Sequence, residues 1–402
     1  MSGPVLKGHA VRVVGPLAPF ADGFKARLGE LGYTPLTIVN ELRLVLHVSR
    51  WLDAGGLSVA DLTPDRVNAY FVARRMAGYR SSTTPRSLTQ LIGFLTDAGA
   101  LSVPSHTASQ SQADALLDAF EVFLIDERGL ASCTAKAYVA RARRFLGWCA
   151  PDGDVDRLVT ADVTGAVARE ASMVSVGSVQ FFVAGVRVFL RFCHVRGLIG
   201  ADLSAAALAV TGRRSSFLPR GISQGDARAL LGSCDRRTPA GRRDFAVLTV
   251  LIRLGMRASE VASLTLDDLD WRAGEITVHG KAGRVDRLPI PVDVGEAVTA
   301  YLMRGRPASK HREVFLRMIA PVVGLGRGGV SMIVRNACER AGLPQIGAHR
   351  LRHTLACTMV SAGVSLPDIG QVLRHRNISS TAVYARVDID MLRGIAQPWP
   401  KR

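Results

Sequence analysis

Apolar residues recur at helical spacing along most of the chain. Phe20, Phe24 and Leu28 precede Gly32, and Leu117, Phe120 and Leu124 precede Gly129, so each set lines one face of a helix. In both places a second periodic stretch follows and ends at a tryptophan, Trp51 or Trp148. Next comes Leu62-Thr63 or Val159-Thr160, then an aspartate suited to an N-cap, Asp65 or Asp162. Gly32, Trp51, Thr63 and Asp65 thus recur as Gly129, Trp148, Thr160 and Asp162 at one offset of 97 positions. A coincidence that survives over this length reads as a diverged repeat of two small helical bundles.

Two stretches interrupt the periodic pattern. Residues 102–112 read SVPSHTASQSQ, small polar and turn-forming residues that cannot bury a core, and 212–221 read GRRSSFLPRG. Three modules result: 1–101, 112–205 and 218–402. The third alternates. Phe245 to Gly255 is an apolar helix pattern, while Glu275 to Val278 and Arg287 to Ile290 are short β-type runs around Gly280-Lys281-Ala282-Gly283, a hairpin loop. Helical patterns follow at 296–304, 329–341, 349–362 and 366–373. The fold class expected is mainly α: two small helical-bundle modules, then a mostly helical domain with a small antiparallel sheet.

Charge narrows the partner. The 402 residues hold 51 Lys+Arg against 34 Asp+Glu, a formal +17, which calls for a polyanion: DNA, RNA or an anionic membrane. The apolar stretch from Phe245 to Met256 is cut by Arg253 and falls short of the ~20 residues a bilayer needs. The start has no secretory-type apolar core, so no membrane partner and a cytoplasmic location are expected. Cys133, Cys149, Cys193, Cys234, Cys338 and Cys357 stand singly, which suggests reduced thiols rather than a zinc or disulfide framework. Arg141, Arg143 and Arg144 cluster on the helix leading to Trp148, with Arg43 and Arg50 in comparable places of the first copy. Within so basic a chain they read as phosphate contacts.

Candidate chemistry lies in the third module: Arg257, Lys281, His349 with Arg352, His375 and Tyr384. Singly, each has an ordinary explanation. Arg257 after an apolar helix suits a salt bridge, Lys281 a solvated turn, and His349 and His353 a helix start or a surface. Together they sit in four segments: LGMRASEVASLTLDDLDW at 254–271, ITVHGKAGRVDRLPIP at 276–291, HRLRHTLACTMVSAG at 349–363 and LPDIGQVLRHRNISSTAVYARV at 366–387. In order and spacing these resemble the catalytic domain of the tyrosine recombinase (phage-integrase) family. Residues 112–205 resemble that family's helical core-binding domain less closely.

The resemblance implies a site-specific DNA recombinase that cleaves and rejoins double-stranded DNA in integration, excision or transposition. Tyr384 would be the nucleophile, storing the bond energy as a 3′-phosphotyrosyl ester and freeing a 5′ hydroxyl. Arg257 and Arg352 would be forked donors to the extra negative charge of the pentavalent phosphate. Lys281 would protonate the leaving oxygen, His349 would act as base toward the tyrosine, His375 would donate to the phosphate, and Glu260 would position Arg257. This scheme needs no metal and no cofactor. Two residues depart from the family: Arg350 stands where Asp is common after the first His, and Arg374 where Gly is common before the second. Both are expected to add charge beside DNA, as are Arg213 and Arg214 in the second linker.

The family works as four protomers on two DNA segments. A homotetramer is therefore expected, docked through the tail 388–402 with its Met391, Leu392 and Ile395. A type IB topoisomerase shares the chemistry, and a DNA-binding relative that has lost cleavage shares the fold. The second histidine and the tail favour the recombinase, and the filled catalytic positions disfavour the non-cutting relative. The unassigned arginines predict steep salt dependence. Affinity for duplex DNA is expected to fall by orders of magnitude between roughly 50 and 200 mM salt. A flat gel-shift titration over that range would contradict the charge assignment.

Overall fold

The computed structural model describes residues 11–101, 111–211, 221–280 and 283–375, together with Thr381 and Tyr384. It falls into two compact units, one formed by Met1–Leu101 with Phe217–Arg402 and the other by Ser102–Ser216.

Unit 2 is helical: α5 (Gln112–Val122), α6 (Ser132–Cys149), α7 (Thr160–Met173) and α8 (Val176–Val195). By length and composition α8 is apolar enough to cross a membrane, and it is longer than the apolar stretch singled out from the sequence. Its Phe182, Phe189, Leu190 and Phe192 are instead buried among Phe120, Phe145 and Leu146, where they make the bundle core. Only one face of α8 is buried; Phe181 and Val195 on the other are exposed, so the helix is the amphipathic core element of a small bundle.

Unit 1 begins with α1 (Ala21–Glu30), α2 (Pro35–Ala54), α3 (Pro64–Met76) and α4 (Thr89–Asp97), closed over Phe24, Leu28, Val48, Leu52 and Phe71. Thr34 and Thr63 cap α2 and α3 by accepting from the Thr37 and Arg66 N–H groups, each with proline at the first helical position. The 97-residue offset carries element onto element. Pro35 at the start of α2 falls on Ser132 at the start of α6, and Gly32 and Gly129 both take left-handed backbone, at φ 78° and 60°.

The sequence suggested modules in series, yet this first bundle groups with the C-terminal part. The Val322 N–H donates to the Leu31 carbonyl at 2.8 Å, and Lys310 pairs with Glu30 at 3.7 Å. A side chain at Gly32 would strike Val322, which is why the turn after α1 needs glycine.

The rest of unit 1 holds α9 (Gln224–Gly232), α10 (Pro239–Leu254), α11 (Ala258–Ser263), α12 (Val292–Arg304), α13 (Arg327–Arg340), α14 (Ala348–Ser361) and α15 (Leu366–Val372). Strands β1 (Leu269–Asp270), β2 (Glu275–His279) and β3 (Val285–Pro289) form one antiparallel sheet in the order β1-β2-β3. The expected mainly helical fold with a small antiparallel sheet is what forms.

Helix α10 is the core of this part. Ala246, Val247, Val250 and Leu251 are fully buried, packed with Val298 and Tyr301 of α12 and Val330 and Val334 of α13. Tyr301 is enclosed there, and its hydroxyl accepts the Leu316 N–H, so it has a structural partner. Gly255 ends α10 in left-handed backbone, φ 57°. A Cβ there would lie 2.9 Å from Leu355 and 3.0 Å from Leu373. Gly255→Ala is expected to destabilise the fold by about 2–3 kcal/mol, from the backbone and the two contacts together. An unchanged urea midpoint would contradict this.

Candidate active site

One buried guanidinium organises the site. Arg352, on α14, is 1% exposed. Its Nη1 donates to the Gly255 carbonyl at 2.6 Å, and its Nη2 donates to the Leu373 carbonyl. These carbonyls end α10 and α15, so the segments leading to Arg257 and to His375 are tied to the same side chain. Burial, then the Arg257 and Arg374 charges, lower the Arg352 pKa to about 10, which leaves it charged at neutral pH.

Arg257 begins α11. Its backbone N–H donates to Glu260 Oε2 at 2.8 Å and its Nη1 to Oε1 at 2.5 Å. Arg374 Nη2 donates to the same Oε2 at 2.7 Å. Burial alone would raise the Glu260 carboxyl, but the Arg257 N–H and the Arg374 and Arg257 charges hold it below its usual range. Glu260 therefore stays ionised between two arginines. Arg257 keeps 40% of its side chain exposed, open to a ligand, while Glu260 and Arg374 are 3% exposed.

Tyr384 is 2% exposed, and its hydroxyl lies 2.6 Å from His353 Nδ1. Burial pushes the phenol pKa up to about 12, against the pull of Arg352. His353 is edge-on to His349, with ring centroids 4.3 Å apart. His375 lies parallel to the Tyr384 ring at 6.3 Å, its Nδ1 2.7 Å from Thr381 Oγ1. Burial, then neighbouring positive groups, lower His353 and His375 to about 4. His349, the most exposed of the three, is also lowered, by desolvation and then by Arg352 and Arg257.

The structure thus brings together Arg257, Glu260, Arg352, His349, His375 and Tyr384, and adds His353. By sequence alone His353 suits a helix start or a surface. The usable signal was its spacing: His349 and His353 are four apart, hence on one face of α14, next to Arg352. Among the described contacts, the tyrosine hydroxyl meets His353 rather than His349, to which the base role had been given.

Arg374 also differs from expectation. It is buried on Glu260 instead of standing out toward DNA, because the backbone turns left-handed there and drives the side chain inward. Of the helix arginines, Arg143 pairs with Asp114 and Arg144 with Glu170, while Arg141 bonds the Ala137 carbonyl and lies over the Phe181 ring. Their charges are partly answered within the protein. Arg350 is exposed. Lys281, Arg213, Arg214 and the tail 388–402 lie outside the described residues. Among the described residues, no group of three or more His, Cys, Asp or Glu side chains converges as a metal site would require.

A buried tyrosine hydroxyl beside a histidine, with two or more guanidiniums held close by, is the equipment of an enzyme that transfers a phosphodiester to itself. Comparison with known proteins agrees. The model of the phage integrase family matches residues 221–390. The y4rA integrase/recombinase of Sinorhizobium fredii is 38% identical over 392 residues, 96% of this chain and 95% of that protein. Tyrosine recombinase XerD of Listeria monocytogenes (strain F2365) is 31% identical over 281 residues, 68% of this chain and 94% of XerD.

The same fold occurs in solved structures. XerH recombinase bound to palindromic difH substrate has a TM-score of 0.55 at 14% identity, covering 82% of this chain and 93% of that one. A lambda integrase (75–356) dimer bound to a COC′ core site has 0.53 at 16%, covering 66% and 96%. The chain belongs to the phage-integrase family of tyrosine recombinases. It is a site-specific recombinase acting on DNA, and the topoisomerase reading finds no support among these relatives.

The histidines make stability pH-dependent with a definite sign. Their folded pKa values lie below that of an unfolded histidine, so the unfolded chain binds more protons between about pH 6.5 and 4. Stability is expected to be full above that window and to fall through it. Replacing His353 and His375 by Gln should flatten that part of a melting-temperature profile. An equally steep profile would contradict their neutral burial.

Proposed function

We propose that Tyr384 attacks the scissile phosphate after passing its hydroxyl proton to His353. The observation that carries this reading is the 2.6 Å contact between His353 Nδ1 and the Tyr384 hydroxyl, next to the buried Arg352. With its pKa held near 4, the imidazole is neutral at pH 7 and free to accept. An arriving phosphate brings negative charge into the cluster, which raises the basicity of His353 at the moment a base is needed. The same charge is answered by Arg257 and Arg352, forked donors suited to non-bridging oxygens. His349 and His375 serve those oxygens as well. Lys281, which follows β2 in the sequence, protonates the departing 5′ oxygen, as the family resemblance implies.

The enzyme acts as a tetramer on two duplexes, with the tail 388–402 joining protomers, and works in the cytoplasm where such DNA resides. The helical bundles 1–101 and 112–205 both contact duplex DNA. Arg43 and Arg50 are exposed on the first, in support of DNA contact there. Deletion of 389–402 is expected to lower assembly on DNA without lowering single-site binding, and unchanged assembly would refute the tail assignment.

The experiment is to incubate the protein with DNA flanking its own gene, trap covalent complexes and map the attached nucleotide. Tyr384→Phe should give no adduct. His353→Gln should bind DNA as wild type does but cleave roughly 100- to 1,000-fold more slowly, the range of a lost general base. Equal cleavage by His353→Gln would return the role to His349, and equal adduct from Tyr384→Phe would end the tyrosine reading.

A further inference from the structure

Arg374 occupies the place where a helix normally ends on glycine. It follows Leu373, the cap of α15; its N–H bonds to the Gln371 carbonyl and the His375 N–H to the Gly370 carbonyl. This paired closure puts the residue at Arg374 in left-handed backbone, here φ 55°, which glycine takes freely and a residue with a Cβ does not. The side chain carries a second cost. It is 3% exposed and its Nη2 is taken by Glu260, but its Nε and Nη1 are buried without an acceptor among the described residues. Buried N–H groups of a cation rarely go unpaired, and strain of this kind gathers at functional sites.

Both costs fall in one place. Glu260 Oε2 is shared by Arg374 and the Arg257 N–H, and Arg374 is close enough to Arg352 to depress its pKa. Three guanidiniums therefore face one carboxylate, while the three histidines are neutral at pH 7. The surplus of positive charge suits an anion that the described residues do not themselves supply.

We propose that Arg374 is a third phosphate-directed guanidinium of this site. The N–H groups on its Nε and Nη1 and its charge serve the scissile phosphate, while Glu260 holds it and Arg257 in a fixed relation. This rests on the reading of the site given above and adds to it a residue beyond Arg257 and Arg352.

Arg374→Gly is the test variant, because glycine is what the backbone favours. The variant is expected to melt at or above the wild-type temperature. Two readouts follow. In calorimetry of the DNA-free chain with inorganic phosphate, at ionic strength held constant with chloride, Arg374→Gly should weaken binding at least tenfold, with Arg374→Lys in between. On a nicked duplex carrying the mapped cleavage site, Arg374→Gly should slow adduct formation at saturating enzyme by about 30-fold or more, with DNA affinity unchanged. A neutral methylphosphonate at the scissile position should shrink that defect to about threefold or less, since there is then less charge to answer.

Equal phosphate affinity in wild type and Arg374→Gly, or none in wild type, would overturn the proposal. So would one slowing factor common to both substrates, which marks a merely structural role. Failure of wild type to cleave would instead count against the cleavage reading, and the phosphate titration would still decide the role of Arg374.

Discussion

Everything in the site hangs on a charge placed where charge is costly. Arg352 is sealed inside unit 1, and desolvating a guanidinium is expensive unless its donors are used. Two of them are spent on the carbonyls of Gly255 and Leu373, the final turns of α10 and α15. Those carbonyls would otherwise be orphaned ends of helices. The bonds therefore serve both partners, and they set the distance between the segment that begins with Arg257 and the one that carries Arg374 and His375. Glycine at 255 is part of the same arrangement: the close approach of Leu355 and Leu373 leaves no room for a Cβ.

Around this clamp the charges are unbalanced in a purposeful direction. Arg257, Arg352 and Arg374 face Glu260, and burial keeps His353 and His375 neutral. Glu260 prevents mutual repulsion from scattering the arginines, since its two oxygens take the Arg257 and Arg374 guanidiniums. The phenol of Tyr384, with its pKa near 12, stays protonated until charge arrives. In the proposed mechanism, binding of a phosphodiester would relieve the positive excess and strengthen the base at once, so that recognition and activation of the nucleophile would share one electrostatic cause.

The parts of this that were legible in the sequence are those written locally. Helical periodicity and the hairpin around Gly280 are short-range signals, and the elements formed where they indicated. The motif arginines, His375 and Tyr384 were readable because residue type and spacing together constrain them. His353 was not: its partner lies 31 residues away, and nothing in a histidine's neighbours says that a tyrosine folds back onto it. Arg374 misled for the opposite reason. Its type suggests the surface, and only the left-handed turn after α15 and the distant Glu260 send it inward. The grouping of 1–101 with the catalytic part was equally invisible, since it rests on single contacts such as Leu31 with Val322.

The claim that carries the account is that the reacting atom is the hydroxyl of Tyr384. It is tested most directly by isolating the covalent protein–DNA adduct, digesting both components, and identifying by mass spectrometry the residue that bears the nucleotide. Attack by Tyr384 leaves the phosphate on that residue, at the 3′ end of the cleaved strand. Attachment to any other side chain, or to the 5′ end, would contradict it.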